Sequence, residues 1–306
     1  MFAYVVSPST RAPPPSRVRW VANACDRSLA PDTNGEQVEH QSWAPPEVDV
    51  ERANVARVYD ALLGGSHNFA VDRDVASALT AIEPNARDAA RANRAFLGRA
   101  VRFLVDAGIR QFLDIGSGVP TSGNVHEIAQ AAAPECRVVY VDTDPVAIAH
   151  SRSILSGNTQ ATIVHADLRE PEVILGHPEV TRLIDFDQPV AVLLVAVLHF
   201  ITDEERPGDL VERLRGAMVP GSYLTISHGT LDGRSTQVVE AVEKLYSRAS
   251  APGRPRDHAS IEAFFDGFEI LDPGLVYLPL WRPDPTDVPF ADPAHSWGYA
   301  GVARLP

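Results

Sequence analysis

Cysteine is scarce in this chain of 306 residues, which contains only Cys25 and Cys136. Two cysteines do not make a disulfide framework, and a reducing compartment is the simplest interpretation. Long apolar runs are also missing, because no stretch reaches the roughly 18–20 residues that a membrane-spanning helix needs. The first residues include a short apolar stretch without a basic segment before it, so we do not interpret them as a signal peptide. These absences predict a soluble, cytoplasmic protein without a membrane partner.

The chain also has fewer basic than acidic residues. The chain has 27 lysine and arginine residues against 40 aspartate and glutamate residues, for a net charge of −13. Such a balance argues against a protein that grips a phosphate backbone, so no nucleic-acid partner is expected. No histidines are spaced beside carboxylates as in a zinc or iron site, so no metal is expected either. Hydrophobic residues make up 45% of the chain, which is enough for a full core.

Three segments of the chain differ in composition. Residues 1–46 are rich in proline and polar residues, show no lasting periodicity and are expected to form a poorly ordered extension. Residues 47–109 repeat apolar side chains at three- and four-residue spacing, which predicts a helical cap. Residues 110–306 alternate short apolar runs with helical stretches and are expected to form one α/β domain.

The cap contains three predicted helices. The first ends at Gly64–Gly65, because glycine readily adopts the left-handed conformation that closes a helix. A short helix is predicted at Asp74–Ile82 and a long one from Asn85 to Ala107. One face of the long helix carries a row of arginines. Either the whole row is solvated, or one of its arginines turns inward to a carboxylate. The row consists of Arg87, Arg91 and Arg94.

Seven apolar runs in residues 110–306 are candidate strands. Continuous rather than alternating hydrophobicity, as in Val190–Leu198, indicates strands that are covered on both faces. Strand–helix–strand order predicts a parallel, doubly wound sheet, with the last two strands as an antiparallel hairpin at its edge. The candidates are Gln111–Ile115, Arg137–Asp142, Ala161–His165, Val190–Leu198, Ser222–Ser227, Phe268–Tyr277 and Trp297–Ala303.

A glycine turn follows the first predicted strand. Gly116 and Gly118 stand between this strand and a helix, and glycine is needed where backbone turns sharply beside a ligand. The start of the following helix supplies free N–H groups. Asp114, just before the turn, is placed to order the loop by accepting backbone N–H bonds.

The next two predicted strands also lead to acidic residues. Asp142 ends the second strand, where a carboxylate can accept hydrogen bonds from both hydroxyls of a ribose. Asp144 competes for that role, although the pair Asp144–Pro145 is typical of a helix N-cap and first turn. Asp167 follows the third strand, where it can accept from the amino group of adenine while the Leu168 amide donates to a ring nitrogen.

His199 follows the fourth predicted strand, where the crevice of a doubly wound sheet opens. An imidazole titrates near neutrality, so His199 is a candidate general base, with a hydrogen-bonded structural histidine as the alternative.

Three carboxylates and a Gly-x-Gly turn fit a ligand that contains adenosine. Dinucleotide sites favour Gly-x-Gly-x-x-Gly, but Thr121 stands at the third glycine position here, and Asp114 would repel a pyrophosphate. S-adenosylmethionine has no phosphate and carries a sulfonium and an ammonium. The residues therefore favour S-adenosylmethionine as the cofactor.

These motifs resemble those of known families. Asp114-Ile-Gly-Ser-Gly118, Val-Asp142 and Ala-Asp167-Leu168 resemble the first three motifs of class I S-adenosylmethionine-dependent methyltransferases. A closer resemblance, from about residue 48 to the C terminus, is to an actinobacterial methyltransferase family long described as a domain of unknown function. It is carried by Tyr59–Arg73, Arg91–Phe96, Gln111–Thr121 and Trp281–Asp284. The resemblance implies a Rossmann-like, doubly wound, seven-stranded sheet and S-adenosylmethionine as cofactor, with Pro120 in place of the usual third glycine.

The resemblance also implies that the cap covers the cofactor and selects the methyl acceptor. Gly64, His67 and Asn68 belong to the most distinctive segment and are expected to close over the methionine half of the cofactor, with a turn histidine as the alternative for His67. Arg94 is expected at the cofactor carboxylate or, alternatively, in a core salt bridge. Residues beside the motifs complete the expected site, namely Ser117, Thr143, Val195 and Ala196.

The expected reaction is an in-line displacement on the sulfonium methyl group, in which positioning supplies most of the rate. The expected acceptor is an O or N atom of a small molecule. A base is needed only for a protonated acceptor, and the candidates are His199, His67, Tyr59 and His228. A cofactor-binding regulatory protein without turnover and a nicotinamide-dependent oxidoreductase are the alternatives.

Overall fold

The structure is a computed structural model that describes residues 45, 48–121, 123–246, 251–287 and 289–306. All of these residues fall within one unit, residues 40–306. The extension expected at residues 1–46 lies, apart from Pro45, outside the described residues and stays a prediction. Among the helices that the structure describes, none is long and apolar enough to cross a membrane.

Within the described residues, eight strands make up one central sheet. They are β1 (Gln111–Ile115), β2 (Arg137–Asp142), β3 (Ala161–His165), β4 (Ala191–Val195), β5 (Tyr223–Gly229), β6 (Glu269–Ile270), β7 (Val276–Tyr277) and β8 (Gly298–Arg304). Their order is β3-β2-β1-β4-β5-β8-β6, and β7 also pairs with β8. The first five strands are parallel, whereas β8 runs antiparallel to its three neighbours. Strand order reverses between β1 and β4, which opens a crevice at the carboxyl ends of the strands.

The predicted fold class is confirmed, with two differences in the strands. The predicted strand Phe268–Tyr277 is divided into β6 and β7, because a turn closed by the Gly274 amide on the Leu271 carbonyl separates them. The fourth strand ends at Val195 rather than Leu198, since Ala196 has a left-handed φ of 57° and a 3-10 turn follows.

Ten α-helices in the described part of the chain accompany the sheet. They are α1 (Val55–Leu63), α2 (Ala70–Ile82), α3 (Ala86–Asp106), α4 (Val125–Ala132), α5 (Pro145–Ile154), α6 (Pro171–Leu175), α7 (Pro178–Leu183), α8 (Pro207–Gly216), α9 (Thr236–Tyr246) and α10 (His258–Glu262). Successive strand residues point to opposite faces. Phe112 and Val138 pack with α3, α4 and α5, while Leu113 and Val139 pack with α6, α7 and α8. The sheet is therefore covered on both faces, as its continuous hydrophobicity predicts.

Three helices precede the sheet as predicted, and a fourth joins them. An apolar cluster contains Val58 of α1, Leu79 of α2 and Ala90 of α3, together with Val242 of α9. Helix α2 starts four residues before the predicted Asp74, because the Asp72 carboxylate accepts the Phe69 amide at 2.8 Å and so caps an earlier first turn. The segment after β5 thus contributes a helix to the cap, which composition alone does not indicate.

Candidate functional site

A cavity of about 490 Å³ lies between the carboxyl ends of the strands and the cap helices. Its volume falls within the range of about 300–1,000 Å³ that is typical of small-molecule sites. The loops after β1 to β5 form one end, and α1, α2, α3 and α9 form the other. The predicted site residues that line it are Tyr59, Arg94, Asp114, Gly116, Ser117, Gly118, Asp142, Thr143, Asp167, Leu168, Val195, Ala196, His199 and His228.

The glycine turn after β1 adopts the conformation that its sequence predicts. Gly116 and Gly118 have φ values of 75° and 69°, in the left-handed region that favours glycine. A Cβ atom on Gly116 would overlap the side chain of Val197, so the turn packs directly against the segment that follows β4. Larger residues at Gly116 are excluded on both grounds.

Asp142 holds the glycine turn in place. Its Oδ2 atom accepts the Gly118 amide at 2.6 Å, and its Oδ1 atom accepts the amides of Thr143 at 2.8 Å and Asp144 at 2.9 Å. The prediction that Asp114 orders the loop is therefore corrected, because the Gly118 amide bonds to the carboxylate at the end of the neighbouring strand. A carboxylate has about four acceptor sites, so Asp142 retains capacity for a ligand hydroxyl.

Asp144 is not among the described residues that line the cavity. Its carboxylate accepts the Val146 amide at 3.0 Å and caps α5, with Pro145 at the first helical position, as predicted. Burial raises the pKa of Asp144 to about 6. Arg57 of α1 lies 3.9 Å away and also contacts Asp72 of α2 at 3.3 Å, so this buried cluster attaches the cap to the N terminus of α5.

Asp114 is the most perturbed carboxylate in the cavity. Burial, opposed by the charge of Arg94 and reinforced by that of Asp142, raises its pKa to about 7. Carboxyl groups that titrate near neutrality cluster at functional sites. The side chain is thus poised to change its charge when a cation arrives.

The three arginines of the predicted row have three different roles. Arg91 is exposed and pairs with Asp88 at 2.8 Å, as a solvated row requires. Arg87 donates to the Ala61 carbonyl near the end of α1 at 3.2 Å. Arg94 turns toward the cavity, where its charge acts on Asp114 and its Nη2 atom donates to the Gly123 carbonyl at 3.3 Å. Arg94 matches the predicted inward-facing arginine.

Asp167 is held by its own loop. Its carboxylate accepts the Arg169 amide at 2.9 Å and forms an ion pair with the Arg169 guanidinium at 3.2 Å. The same guanidinium donates to Glu205 and to the Phe200 carbonyl. Asp167 is therefore fixed in orientation at the end of β3, and Leu168 beside it is buried in the cavity wall.

His199 is placed as a hydrogen-bond donor rather than as a base. Its Nδ1 atom accepts the Gly229 amide at 3.1 Å, which puts the proton of a neutral imidazole on Nε2. Burial, with a smaller effect of Arg256, lowers its pKa to about 4. His228, the other candidate on this side, bonds through Nδ1 to the Gly229 carbonyl at 2.8 Å and accepts from Arg256 at 3.0 Å. Burial lowers the pKa of His228 well below its ordinary value.

A chain of hydrogen bonds that sequence analysis missed joins the cap to the sheet. The Tyr59 hydroxyl donates to the Ala90 carbonyl at 3.0 Å and accepts from Asn93 at 2.9 Å. Asn93 accepts from the Ser227 hydroxyl at 2.6 Å, which in turn accepts the Ala196 amide at 3.0 Å. Asn93 is 6% exposed. In the sequence, the one feature that could have indicated this buried hydrogen bond is a polar residue on the apolar face of a predicted helix.

The turn between α1 and α2 differs from its predicted role. Asp60 accepts the His67 amide at 2.9 Å and the Asn68 side chain at 2.7 Å. A Cβ atom on Gly65 would overlap the Asp60 carboxylate, and Gly64 has a φ of 82° that ends α1. The local structure itself therefore requires these glycines and this asparagine.

The same turn stays outside the cavity. Gly64, His67 and Asn68 are not among the described residues that line it. Asn68 is 2% exposed, and the ring of His67 lies 3.5 Å, between centroids, from that of His150 on α5. The structure thus does not bring these three residues to the expected cofactor or catalytic positions, and the turn-histidine alternative describes His67.

The sheet order, the glycine turn and the acidic strand ends define a Rossmann-like α/β protein with a cavity at the carboxyl ends of its parallel strands. Residues 41–306 match the family described as S-adenosyl methyltransferase. The chain belongs to this family, and the resemblance found in its motifs is confirmed.

Two of the solved structures that match this chain are similar to it over nearly their whole length. A candidate methyltransferase from Thermobifida fusca YX is 41% identical with a TM-score of 0.81, over 87% of this chain and 99% of that one. A DUF574 family protein from Streptomyces avermitilis MA-4680 is 40% identical with a TM-score of 0.81, over 84% of this chain and 99% of that one. No protein of curated function matches the chain.

Proposed function

We propose that the protein binds S-adenosylmethionine at the strand ends and transfers its methyl group to an O or N atom of a small molecule held under the cap. The observation that carries this proposal is the single cavity that joins the glycine turn and acidic strand ends to the space between α1, α2, α3 and α9. Membership of the methyltransferase family supports the reaction class.

The residues at the strand ends fit this cofactor. The Ser117 hydroxyl is buried beside the glycine turn and has no hydrogen-bond partner among the residues that the structure describes. Asp114, Asp142 and Asp167 line the same end of the cavity. Their charge favours a ligand with a sulfonium and an ammonium and opposes a pyrophosphate. A dinucleotide, and with it nicotinamide chemistry, is therefore disfavoured.

Each strand end has a proposed role in holding the cofactor. Asp142 accepts a ribose hydroxyl with its remaining acceptor site, as the carboxylate at the second strand end of this fold class does. Asp167 and Leu168 recognise adenine. Asp114 and Arg94, which carry opposite charges, bind the ammonium and carboxylate of the methionine end. The turn and wall positions are Gly116, Ser117, Gly118, Thr143, Val195 and Ala196.

The bound cofactor supplies a methyl group that is already activated by the sulfonium. The protein then contributes mainly position, since alignment of the reacting atoms supplies most of the effect in such a displacement. As the acceptor O or N atom bonds to the methyl carbon, the methyl–sulfur bond breaks and the acceptor proton leaves to water. His199 offers an Nε2 proton and is proposed to orient the acceptor rather than to deprotonate it. Tyr59 likewise commits its proton to the Ala90 carbonyl and is proposed to shape the site.

The first experiment is calorimetric titration with S-adenosylmethionine, S-adenosylhomocysteine and NAD. We expect micromolar binding of both sulfur compounds and none of NAD; binding of NAD alone, or of none of the three, would contradict the proposal. Asp142→Asn should weaken binding, whereas Asp187→Asn, at an exposed position outside the cavity lining, should not. Release of S-adenosylhomocysteine over an acceptor panel then distinguishes an enzyme from a regulatory protein that binds the cofactor without turnover.

A further inference from the structure

The apolar cluster of the cap surrounds part of the cavity. Six of its buried residues also line the cavity, namely Val58, Leu62, Leu79, Ala86, Ala90 and Val242. Protein interiors are normally packed to the density of organic crystals, and a void deprives the atoms around it of contacts. An apolar space at the centre of the cluster is therefore suited to a ligand whose own surface replaces the missing side chains. We name this space the cap compartment.

Small side chains on α3 create the cap compartment. Ala86, Ala89 and Ala90 face it, whereas about two turns further along the same helix Phe96 has a large side chain that is fully buried in the core. Because the first turns of α3 contribute only methyl groups, α1 and α2 enclose space instead of packing closely. The small residues at the start of α3 therefore determine the depth of the compartment.

Charge is concentrated at the opposite end of the cavity. Asp167 is paired with Arg169, and Asp114 lies near Arg94. Arg254, which is also in the lining, is exposed to solvent. The charges of Arg234 and Glu83, which contact Trp297, are paired with each other at 3.4 Å. A charged ligand buried among the cap helices would therefore lose its hydration without gaining an unpaired counter-charge, and such burial is costly.

Three hydroxyl groups in the cavity lining, on Tyr59, Ser296 and Thr230, already form hydrogen bonds within the protein. The Tyr59 hydroxyl donates to the Ala90 carbonyl, and the Ser296 hydroxyl donates to the Pro293 carbonyl at 2.7 Å. The Thr230 hydroxyl accepts the Asp232 amide at 3.2 Å. These groups are therefore poor sites for recognising a highly polar acceptor.

Trp297 adds one fixed aromatic wall. Its indole N–H donates to Glu83 at the end of α2 at 3.2 Å, and the Arg234 guanidinium lies 5.4 Å from its ring centroid. Arg234 and Glu83 are themselves paired at 3.4 Å. An indole held in this way offers a preformed surface for offset or edge-to-face contact with another ring.

We propose that the methyl acceptor is an uncharged, mostly apolar aromatic molecule whose ring system fills the cap compartment against Trp297. Its O–H or N–H group then faces the strand ends, where His199 can donate to it. This inference rests on the proposed function, because it names the substrate class of the same site.

The test compares three probes of the same shape and different charge: 2-naphthol, 2-naphthoate and 2-naphthylmethylammonium. Each is titrated at pH 7.5 into the protein saturated with S-adenosylhomocysteine, and calorimetry measures its affinity. We expect 2-naphthol to bind at least about tenfold more tightly than either ion, which corresponds to about 1.4 kcal/mol. Equal or tighter binding of either ion, or no binding of 2-naphthol, would overturn the proposal.

Ala89→Leu provides a second test, because its side chain would occupy the cap compartment. We expect it to weaken 2-naphthol binding by about tenfold or more and to leave the affinity for S-adenosylhomocysteine unchanged. Ala131→Leu, at an exposed position on α4, is the matched control and should change neither affinity. Unchanged 2-naphthol binding in folded Ala89→Leu protein would contradict the proposal, and the charge series on the wild-type protein decides if this variant does not fold.

The two proposals fail in different ways. If 2-naphthol binds to the free protein but S-adenosylhomocysteine does not, the proposed function is wrong and the preference of the cap compartment stands. If S-adenosylhomocysteine binds and the charged probes match or exceed 2-naphthol, the cofactor assignment stands and the acceptor class is wrong.

Discussion

Replacing Asp114 by asparagine tests the electrostatics of the proposed cofactor site. Asp114 is 5% exposed, lines the cavity beside the glycine turn and has its pKa raised to about 7 by burial. It is therefore about half protonated at pH 7 before any ligand binds. A cationic ligand nearby stabilises the carboxylate, lowers its pKa and expels the proton. Asparagine has nearly the same shape as aspartate but no group that ionises in this pH range.

The magnitude follows from the pKa. An opposite charge within about 4–6 Å lowers the pKa of a carboxyl group by about 1–3 units. Binding of S-adenosylmethionine should then release up to about 0.9 proton at pH 6, up to about half a proton at pH 7 and almost none at pH 8.5. Because the ionised form of Asp114 favours the ligand, affinity should rise with pH up to about 7 and then level off. Over that range the gain is about tenfold for each unit by which the ligand lowers the pKa.

Calorimetry in two buffers of different ionisation enthalpy measures the released protons directly. Wild-type protein should release protons at pH 6 and 7, whereas Asp114→Asn should release almost none at any pH. S-adenosylhomocysteine lacks the sulfonium charge and should release fewer than S-adenosylmethionine. The reasoning is refuted if the wild-type protein releases no proton at pH 6, or if Asp114→Asn releases as many as the wild type.

Four further outcomes follow from the same contacts. Without ligand, the Asp114 carboxyl should make stability fall as the pH rises from about 4 to 7, by on the order of 4 kcal/mol, because only the folded state keeps its proton; thermal unfolding of Asp114→Asn should show a shallower slope, with the contribution of Asp144 remaining. Asp142→Asn presents an NH₂ group to one of the backbone amides that the carboxylate now accepts, which costs about 1–3 kcal/mol of hydrogen-bond energy in the glycine turn. Calorimetry should therefore show cofactor binding that is weaker by about tenfold or more. Asn68→Ala should lower the free energy of unfolding by about 1–3 kcal/mol and leave cofactor affinity unchanged, because its bonds build a turn outside the cavity; denaturant unfolding and calorimetry check both parts. His199 should remain neutral, with its proton on Nε2, down to about pH 5, as ¹⁵N chemical shifts of its ring would show.

Features that depend on a few neighbouring residues could be predicted from the sequence. The glycine turn after β1, the N-cap at Asp144 and the end of α1 at Gly64 all follow from local conformational preferences. The parallel sheet follows from uniformly apolar strands, because only strands covered on both faces can bury such residues. These elements were enough to predict which loops surround the cavity.

Features that depend on packing between distant segments could not be predicted. Asn93 and Ser227 are 134 positions apart, and they meet only because α3 lies over the end of β5. The Gly118 amide reaches Asp142 rather than Asp114 because the side chain at the end of the neighbouring strand points into the turn. Helix α9 joins the cap through Val242 although it lies after five strands of the sheet.

The turn from Gly64 to Asn68 shows why a distinctive motif can mislead. Its residues are unusual between two helices, which suggested contact with the cofactor. The structure shows that Asp60, one turn earlier, accepts from this segment at close range and leaves no space for a side chain at Gly65. A carboxylate buried at 2% exposure imposes strict requirements on the residues that bond to it, and those requirements account for Gly65 and Asn68.

The contrast between the two ends of the cavity follows from the fold itself. Loops after parallel strands present backbone amides and carboxylates, so the strand end can hold a charged cofactor. Helices that cover those loops must bury apolar faces against one another, so whatever space they leave is apolar. The hydrogen bonds from Tyr59 through Asn93 and Ser227 to Ala196 run between the two ends. This chain sets the distance between α3 and the backbone after β4, and therefore the position of the cap compartment relative to the glycine turn.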